Sequence, residues 1–271
     1  MLNILLIIIG EIILKIGAYQ FSVTGDINEN MKKIKDAIVL AFNKGIRLLI
    51  FPECSLTGYP PLSIESCKSI NFNHVEESFY ELQKLSINYN MFIIIGSITI
   101  DCEKYYNSAV VFSPGDCKTM TYHKRTLWGW DKENFNQGNN NGIFNIDDFK
   151  IGIRICFEVR FPEYFRELYK ENTDFNVVIF YDVANSDDID RYELIKAHLK
   201  TRAVENISTI VSVNNIKPYQ TAPTAVFDSS GKVVIELERN IENLLVYDFE
   251  YKKLNFGEEG RKIISDNLLK Y

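Results

Sequence analysis

Two hydrophobic periods, one of a strand and one of a helix, take turns along this chain, and that exchange restricts the fold more than any other feature. Residues 15–22 read as a strand, 28–43 as a helix and 47–51 as a strand again. In the helix, Met31, Ile34, Ala37, Ile38, Ala41 and Phe42 recur at spacings of three and four, so they share one face and leave Lys32, Lys33 and Asp36 to water. Helices are also expected at 74–89, 162–171 and 190–206, the second opened by Pro162. Strand-like runs fall at 91–100, 106–112, 118–122, 149–155, 176–181, 208–214, 222–227, 232–237 and 244–249. The turn signal Ser113-Pro114-Gly115-Asp116 joins two of them as a hairpin. Strands outnumber helices, and hairpins mix with β-α-β steps. The expectation is an α/β layered architecture, two packed sheets with helices outside.

The chain has 271 residues, 46% hydrophobic and 24% charged, which suffices for one large core or two small ones. Residues 15–271 hold no linker rich in Pro, Gly or Ser and are read as a single domain. A net charge of -6 offers no basic field for nucleic acid or an anionic membrane surface, so neither partner is expected. Five cysteines cannot all pair, and no two stand as C-x-x-C; a reducing, cytoplasmic setting with no metal and no cofactor is the expectation.

Residues 1–14 are read as an extension outside the fold. Their apolar run from Ile4 to Ile9 is too short to span a bilayer, and no basic residue precedes Lys15 as a secretory leader would need. Two explanations are weighed: a native start at Leu14, or a weak membrane-associating peptide.

Three strand ends carry reactive side chains. Leu49-Ile50-Phe51-Pro52-Glu53-Cys54 runs an apolar strand into a carboxylate; Tyr122-His123-Lys124-Arg125-Thr126-Leu127-Trp128 ends in clustered bases. Ile151-Gly152-Ile153-Arg154-Ile155-Cys156 closes on a thiol, and Pro162 starts a helix six residues later. Each taken alone is a solvated loop or a buried cysteine. Together they are a nucleophile, an acid and an ammonium, and a sharp strand-to-helix turn can hold a thiol out in a cleft with the following backbone N–H aimed the same way.

In these segments the sequence resembles the nitrilase superfamily of carbon-nitrogen hydrolases over nearly all of residues 15–250. The resemblance rests on Glu53 after Phe-Pro, Lys124 in Lys-x-x-Leu-Trp, and Cys156 followed by Phe157-Glu158-Val159-Arg160-Phe161-Pro162-Glu163. Leu56-Thr57-Gly58-Tyr59, Arg202-Ala203-Val204-Glu205-Asn206 and Ala222-Pro223-Thr224 add to it, in order. It implies a four-layer α-β-β-α sandwich, commonly a homodimer or larger homo-oligomer. It also implies an amidase-type hydrolase that cleaves the carbon-nitrogen bond of a small linear amide or carbamoyl compound with water, through a thioester at Cys156. Glu53 would shuttle protons, while Lys124 and the N–H of Phe157 would stabilise the oxyanion. Many members carry a further glutamate after the lysine. Seven positions on from Lys124 and seven back from Gly138 both land on Asp131, with Glu133 as the alternative. An aspartate there is one methylene shorter, and so a second reading is kept, a binding or regulatory protein that has lost turnover. His198 as a papain-like partner of Cys156 is disfavoured by its place inside a helix, whose apolar stripe is Ile195, Leu199 and Ala203. Cys54 is expected to alternate away from Glu53 if the strand persists.

Overall fold

A computed structural model describes residues 13–270, with the backbone alone at 116–118. The first third runs β1 (Leu14–Gln20), α1 (Ile27–Asn43), β2 (Leu48–Ile50), α2 (Phe72–Tyr89), β3 (Phe92–Asp101), β4 (Lys104–Ser113) and β5 (Asp116–His123). The middle runs α3 (Trp130–Asn134), β6 (Ile143–Ile146), β7 (Phe149–Ile155), α4 (Pro162–Lys170), β8 (Phe175–Phe180), β9 (Val183–Ala184) and α5 (Ile189–Asn206). The rest is β10 (Thr209–Asn214), β11 (Tyr219–Gln220), β12 (Ala225–Phe227), β13 (Val233–Glu236), β14 (Asn243–Phe249) and α6 (Phe256–Leu268). Helix starts are set locally: Asp26 accepts from the N–H groups of Asn28 and Glu29, Asn71 from His74, and Asp188 from Arg191.

One sheet has the order β14-β1-β2-β3-β4-β5 and the other β13-β12-β10-β8-β7-β6. Parallel strands form the middle of each, β1-β2-β3 in the first and β7-β8-β10 in the second. Strand alternation divides the apolar residues among three layers. Ile93 and Ile95 of β3 face Ile34 and Ile38 of α1 and Leu82 of α2, whereas Ile94 between them faces the other sheet. Val177 and Ile179 of β8 pack between the sheets with Ile16, Ile50 and Ile153, while Val178 and Phe180 meet Phe165 of α4 and Leu199 of α5. The result is the α-β-β-α sandwich expected from the sequence.

Leu14, assigned above to the extension, is the first residue of β1; it pairs with Phe249 and is buried. The reason is its apolar side chain, which completes the inter-sheet layer one residue earlier than expected. The reading of residues 1–12 falls outside the described residues. The long helix α6, the short α3 and the strands β6, β9 and β11 were not anticipated. Among the described residues no helix is long and apolar enough to cross a membrane.

Candidate active site

The carboxyl ends of the parallel strands point to one place, as ligand sites in open α/β sheets do. Glu53 lies three residues past β2, Cys156 directly follows β7, and Tyr181 and Asp182 directly follow β8. Lys124 follows β5. Glu53 can sit on the sheet because β3 carries Gly96 beneath it; a Cβ there would lie 2.6 Å from the Glu53 Cα.

Cys156 has φ +48°, the left-handed region that a non-glycine residue adopts at a cost of about 1–2 kcal/mol. Its surroundings hold that turn from both sides. Glu158, fully buried, accepts from the Ile155 N–H at 2.8 Å, the Arg125 N–H at 2.7 Å and the Tyr122 hydroxyl at 2.8 and 2.9 Å. Arg202 of α5 donates through Nε to the Val159 carbonyl at 2.9 Å and through Nη2 to the Arg160 carbonyl at 3.0 Å. The Arg-Ala-Val-Glu-Asn motif of the late helix is thus accounted for by Arg202, which also pairs with Glu205 at 2.8 Å.

Lys124 is buried between two carboxylates, with its Nζ 2.8 Å from Glu53 Oε1 and 2.7 Å from Asp131 Oδ2. Glu53 also accepts from Asn107 Nδ2 at 2.6 Å and, on Oε2, from the Tyr181 N–H at 2.7 Å. Asp131 accepts from the Tyr59 hydroxyl at 2.7 Å. Gly138 closes this segment by donating its N–H to the Lys124 carbonyl, and a Cβ at that position would stand 2.2 Å from the His123 carbonyl oxygen.

Burial pushes the Cys156 thiol well above its ordinary pKa, and Glu53 pushes it further against the pull of Lys124. Burial also raises Glu53, opposed by Lys124 and reinforced by Asp131. For Lys124 burial works the other way, but Asp131 and then Glu53 outweigh it and hold the ammonium well above the usual lysine value. Two carboxylates against one ammonium leave a unit of negative charge, which favours keeping one proton on Cys156 or Glu53 at rest.

The structure therefore brings together Glu53, Lys124, Asp131 and Cys156. Cys156, Phe157, Lys124 and Asp131 line one cavity of about 340 Å³, near the lower end of ligand pockets at roughly 300–1,000 Å³. Glu133 stands apart, exposed on α3. His198 is half-buried on α5 and does not line the cavity. The alternation expected for Cys54 fails because β2 ends at Ile50; Cys54 instead turns at φ +50°, is fully buried, and has its Sγ 3.7 Å from Asn107 Oδ1. Sequence reasoning missed Asn107, whose only signal was an amide at the head of the apolar run of β4, and gave no role to Tyr59 within its motif. At the start of α5, Asp188 caps the helix, Asp187 before it pairs with Arg239, and Arg191 in the first turn lines the cavity.

Comparison with known proteins adds a family. Residues 15–255 match the model of the carbon-nitrogen hydrolase family. A Schizosaccharomyces pombe protein named as a probable nitrilase is 25% identical over 238 residues, covering 82% of this chain and 83% of its own. The deaminated glutathione amidase of Synechocystis sp. is 25% identical over 213 residues, 72% of this chain and 75% of its own. The amidase of Nesterenkonia sp. shares the fold with a TM-score of 0.77 at 21% identity, over 94% of this chain and 96% of that one. In a glutamate-to-glutamine variant of that amidase, the acetamide moiety of fluoroacetamide is covalently added at the active-site cysteine.

Proposed function

The chain belongs to the carbon-nitrogen hydrolase family, and from that premise we propose that it is an amidase, hydrolysing small linear amides through a thioester at Cys156. The observation that carries this reading is the double pairing of Lys124. Lys124 donates one N–H to Glu53 and stands in ion-pair contact with Asp131, so of the three N–H bonds of an ammonium at least one remains for an oxyanion forming on Cys156.

Glu53 takes the proton from the Cys156 thiol as the sulfur attacks the amide carbon, and the carbonyl electrons move to oxygen. Lys124 and the N–H of Phe157 receive that charge. Glu53 returns the proton to the nitrogen, the carbon-nitrogen bond breaks, and ammonia or an amine leaves a thioester on Cys156. A water then gives a proton to Glu53 and attacks the thioester, the carbon-sulfur bond breaks, and the sulfur departs as a thiol with that proton. Asp131 holds Lys124 from the side opposite Glu53. Carbamoyl compounds fit the same sequence of steps. Adduct formation at the cysteine of the Nesterenkonia amidase supports the assignment of the nucleophile by analogy.

The competing reading, a binding protein that has lost turnover, rested on aspartate at position 131. The short side chain nevertheless meets Lys124 at 2.7 Å, which favours the enzyme. Intact-mass analysis of the acid-quenched, unaltered enzyme offered a panel of small amides tests the proposal: acyl adducts on Cys156 should appear together with released ammonia, and both should be absent in Cys156→Ala and Glu53→Gln variants. Binding of amides with neither adduct nor ammonia would instead establish the binding protein.

A further inference from the structure

Beside Lys124 stands a chain of hydrogen-bonded side chains that the proposed chemistry does not use. His123 is the last residue of β5 and pairs with Ser108 of β4 in the final rung of their ladder. Its Nδ1 lies 2.7 Å from Ser108 Oγ, and that oxygen lies 2.7 Å from Thr99 Oγ1 of β3. Three adjacent strands are thereby joined through side chains at one level. Ser108 is fully buried, and the half-buried His123 ring stacks on Tyr106 with the centroids 4.3 Å apart. Burial lowers the imidazole pKa against the pull of Asp101, so the ring is uncharged at neutral pH. None of Thr99, Ser108 and His123 lines the cavity. Any effect they have on chemistry passes through a neighbour.

Those neighbours are the residues that address Glu53. Asn107 precedes Ser108 and Lys124 follows His123, and these two donate to Glu53 Oε1 at 2.6 and 2.8 Å. The backbone of Lys124 is held on either side, its N–H donating to the Asn107 carbonyl at 2.8 Å and its carbonyl accepting from the Gly138 N–H at 2.9 Å. Strand β5 is the edge of its sheet, so β4 alone fixes its register. A slip of one residue would withdraw the ammonium from both carboxylates and leave the Ser108 hydroxyl buried without its partner. An apolar pair at that level would bury as well but would not select one register, which a fully satisfied polar network does.

We propose that His123 is a positioning residue, which through Ser108 and Thr99 locks the end of β5 and so sets the Lys124 ammonium between Glu53 and Asp131. The kinetic arm of its test rests on the amidase reading, and the spectroscopic arm does not. His123→Phe keeps the ring on Tyr106 but loses Nδ1, and Ser108→Ala removes the partner. Each should lower kcat for the fastest amide of the panel about tenfold, a tenth of the roughly hundredfold cost of a 1 Å misplacement. KM should stay within about twofold, because Lys124 acts on the oxyanion and not on the bound amide. The double variant should be no worse than either single one, since both break the same contact. His123→Asn places an amide where Nδ1 stood and should restore kcat to within about threefold. Independently of turnover, the Nζ resonance of Lys124 in protein made with isotope-labelled lysine, assigned by its loss in Lys124→Arg, should move in both single variants and return in His123→Asn. A resonance that stays in place in folded His123→Phe and Ser108→Ala overturns the lock. So do losses in kcat that multiply in the double variant, or an Asn variant as slow as the Phe variant. If the unaltered chain releases no ammonia from any amide, the amidase falls, and the resonance alone upholds or overturns the role of His123.

Discussion

Lys124 is fully withdrawn from water and yet held as an ammonium, which is tolerable only because Asp131 and Glu53 stand beside it. Removing one of them should therefore cost far more than changing a neighbouring surface acid. We expect Asp131→Asn to lower kcat/KM by at least about a hundredfold, because Lys124 loses a partner that orients it, and to destabilise the fold by roughly 1–3 kcal/mol, since Glu53 still neutralises the ammonium. Glu133→Gln should leave both within about twofold and 0.5 kcal/mol, as at exposed positions generally. Steady-state kinetics and urea unfolding of the two variants check this, and the opposite ranking would move the positioning role to Glu133. The pH dependence follows from Glu53. Its folded pKa is raised by burial, and only its ionised form can accept the thiol proton, so activity is lost as pH falls through that raised value. The acid limb of kcat/KM should thus lie above the ordinary glutamate value of about 4.3. A limb at or below that value would mean that a different group is the base.

At the scale of elements, the turn carrying Cys156 is stabilised by one buried carboxylate that binds three other segments, since Glu158 joins β7 and the residue after Lys124 to the Tyr122 hydroxyl of β5. Tyr122→Phe removes one of these donors and leaves the others, so a loss of about 1 kcal/mol is expected. Glu158→Ala strands two backbone N–H groups and should cost roughly 3 kcal/mol or more, with a fall in kcat as the strained φ at Cys156 relaxes. Equal effects of the two variants in urea titrations would show that the turn does not depend on Glu158. The same elements explain what could be read in advance. Strands β7 and β8 and helix α1 were visible because their periods are uninterrupted, and the candidate site was legible because Glu53, Lys124 and Cys156 each stand at or just past such a strand within a motif of the family. Asn107 and Tyr59 were not assigned, because their roles consist of contacts across 54 and 72 positions of chain that no local period encodes. Helix α6 was missed for another reason: Phe256, Ile263, Ile264 and Leu268 are exposed, so its apolar residues do not form a single buried stripe.

For the molecule as a whole, the site is divided between the two sheets. Glu53 and Lys124 follow strands of the first, whereas Cys156 and Tyr181 follow strands of the second. The halves are tied at the site itself, where the Glu53 N–H donates to the Phe180 carbonyl at 3.2 Å and the Tyr181 N–H donates to Glu53. Behind them the apolar layer of Ile16, Ile50, Ile153, Val177 and Ile179 holds the sheets face to face. Any change that lets the sheets slide must therefore move the Cys156 thiol relative to Glu53. Ile153 is fully buried in that layer, two residues before Ile155, the last residue of β7. Ile153→Ala should cost roughly 2–5 kcal/mol, a large share of a typical total of about 5–15 kcal/mol. Because the proposed nucleophile and base stand on opposite sheets, ammonia release should disappear in the same urea transition as the tertiary circular dichroism, for this variant at lower urea than for the unaltered chain. If activity instead vanished well before the tertiary signal, the two halves of the site would separate without global unfolding, and inter-sheet packing would not be what keeps Cys156 in register with Glu53.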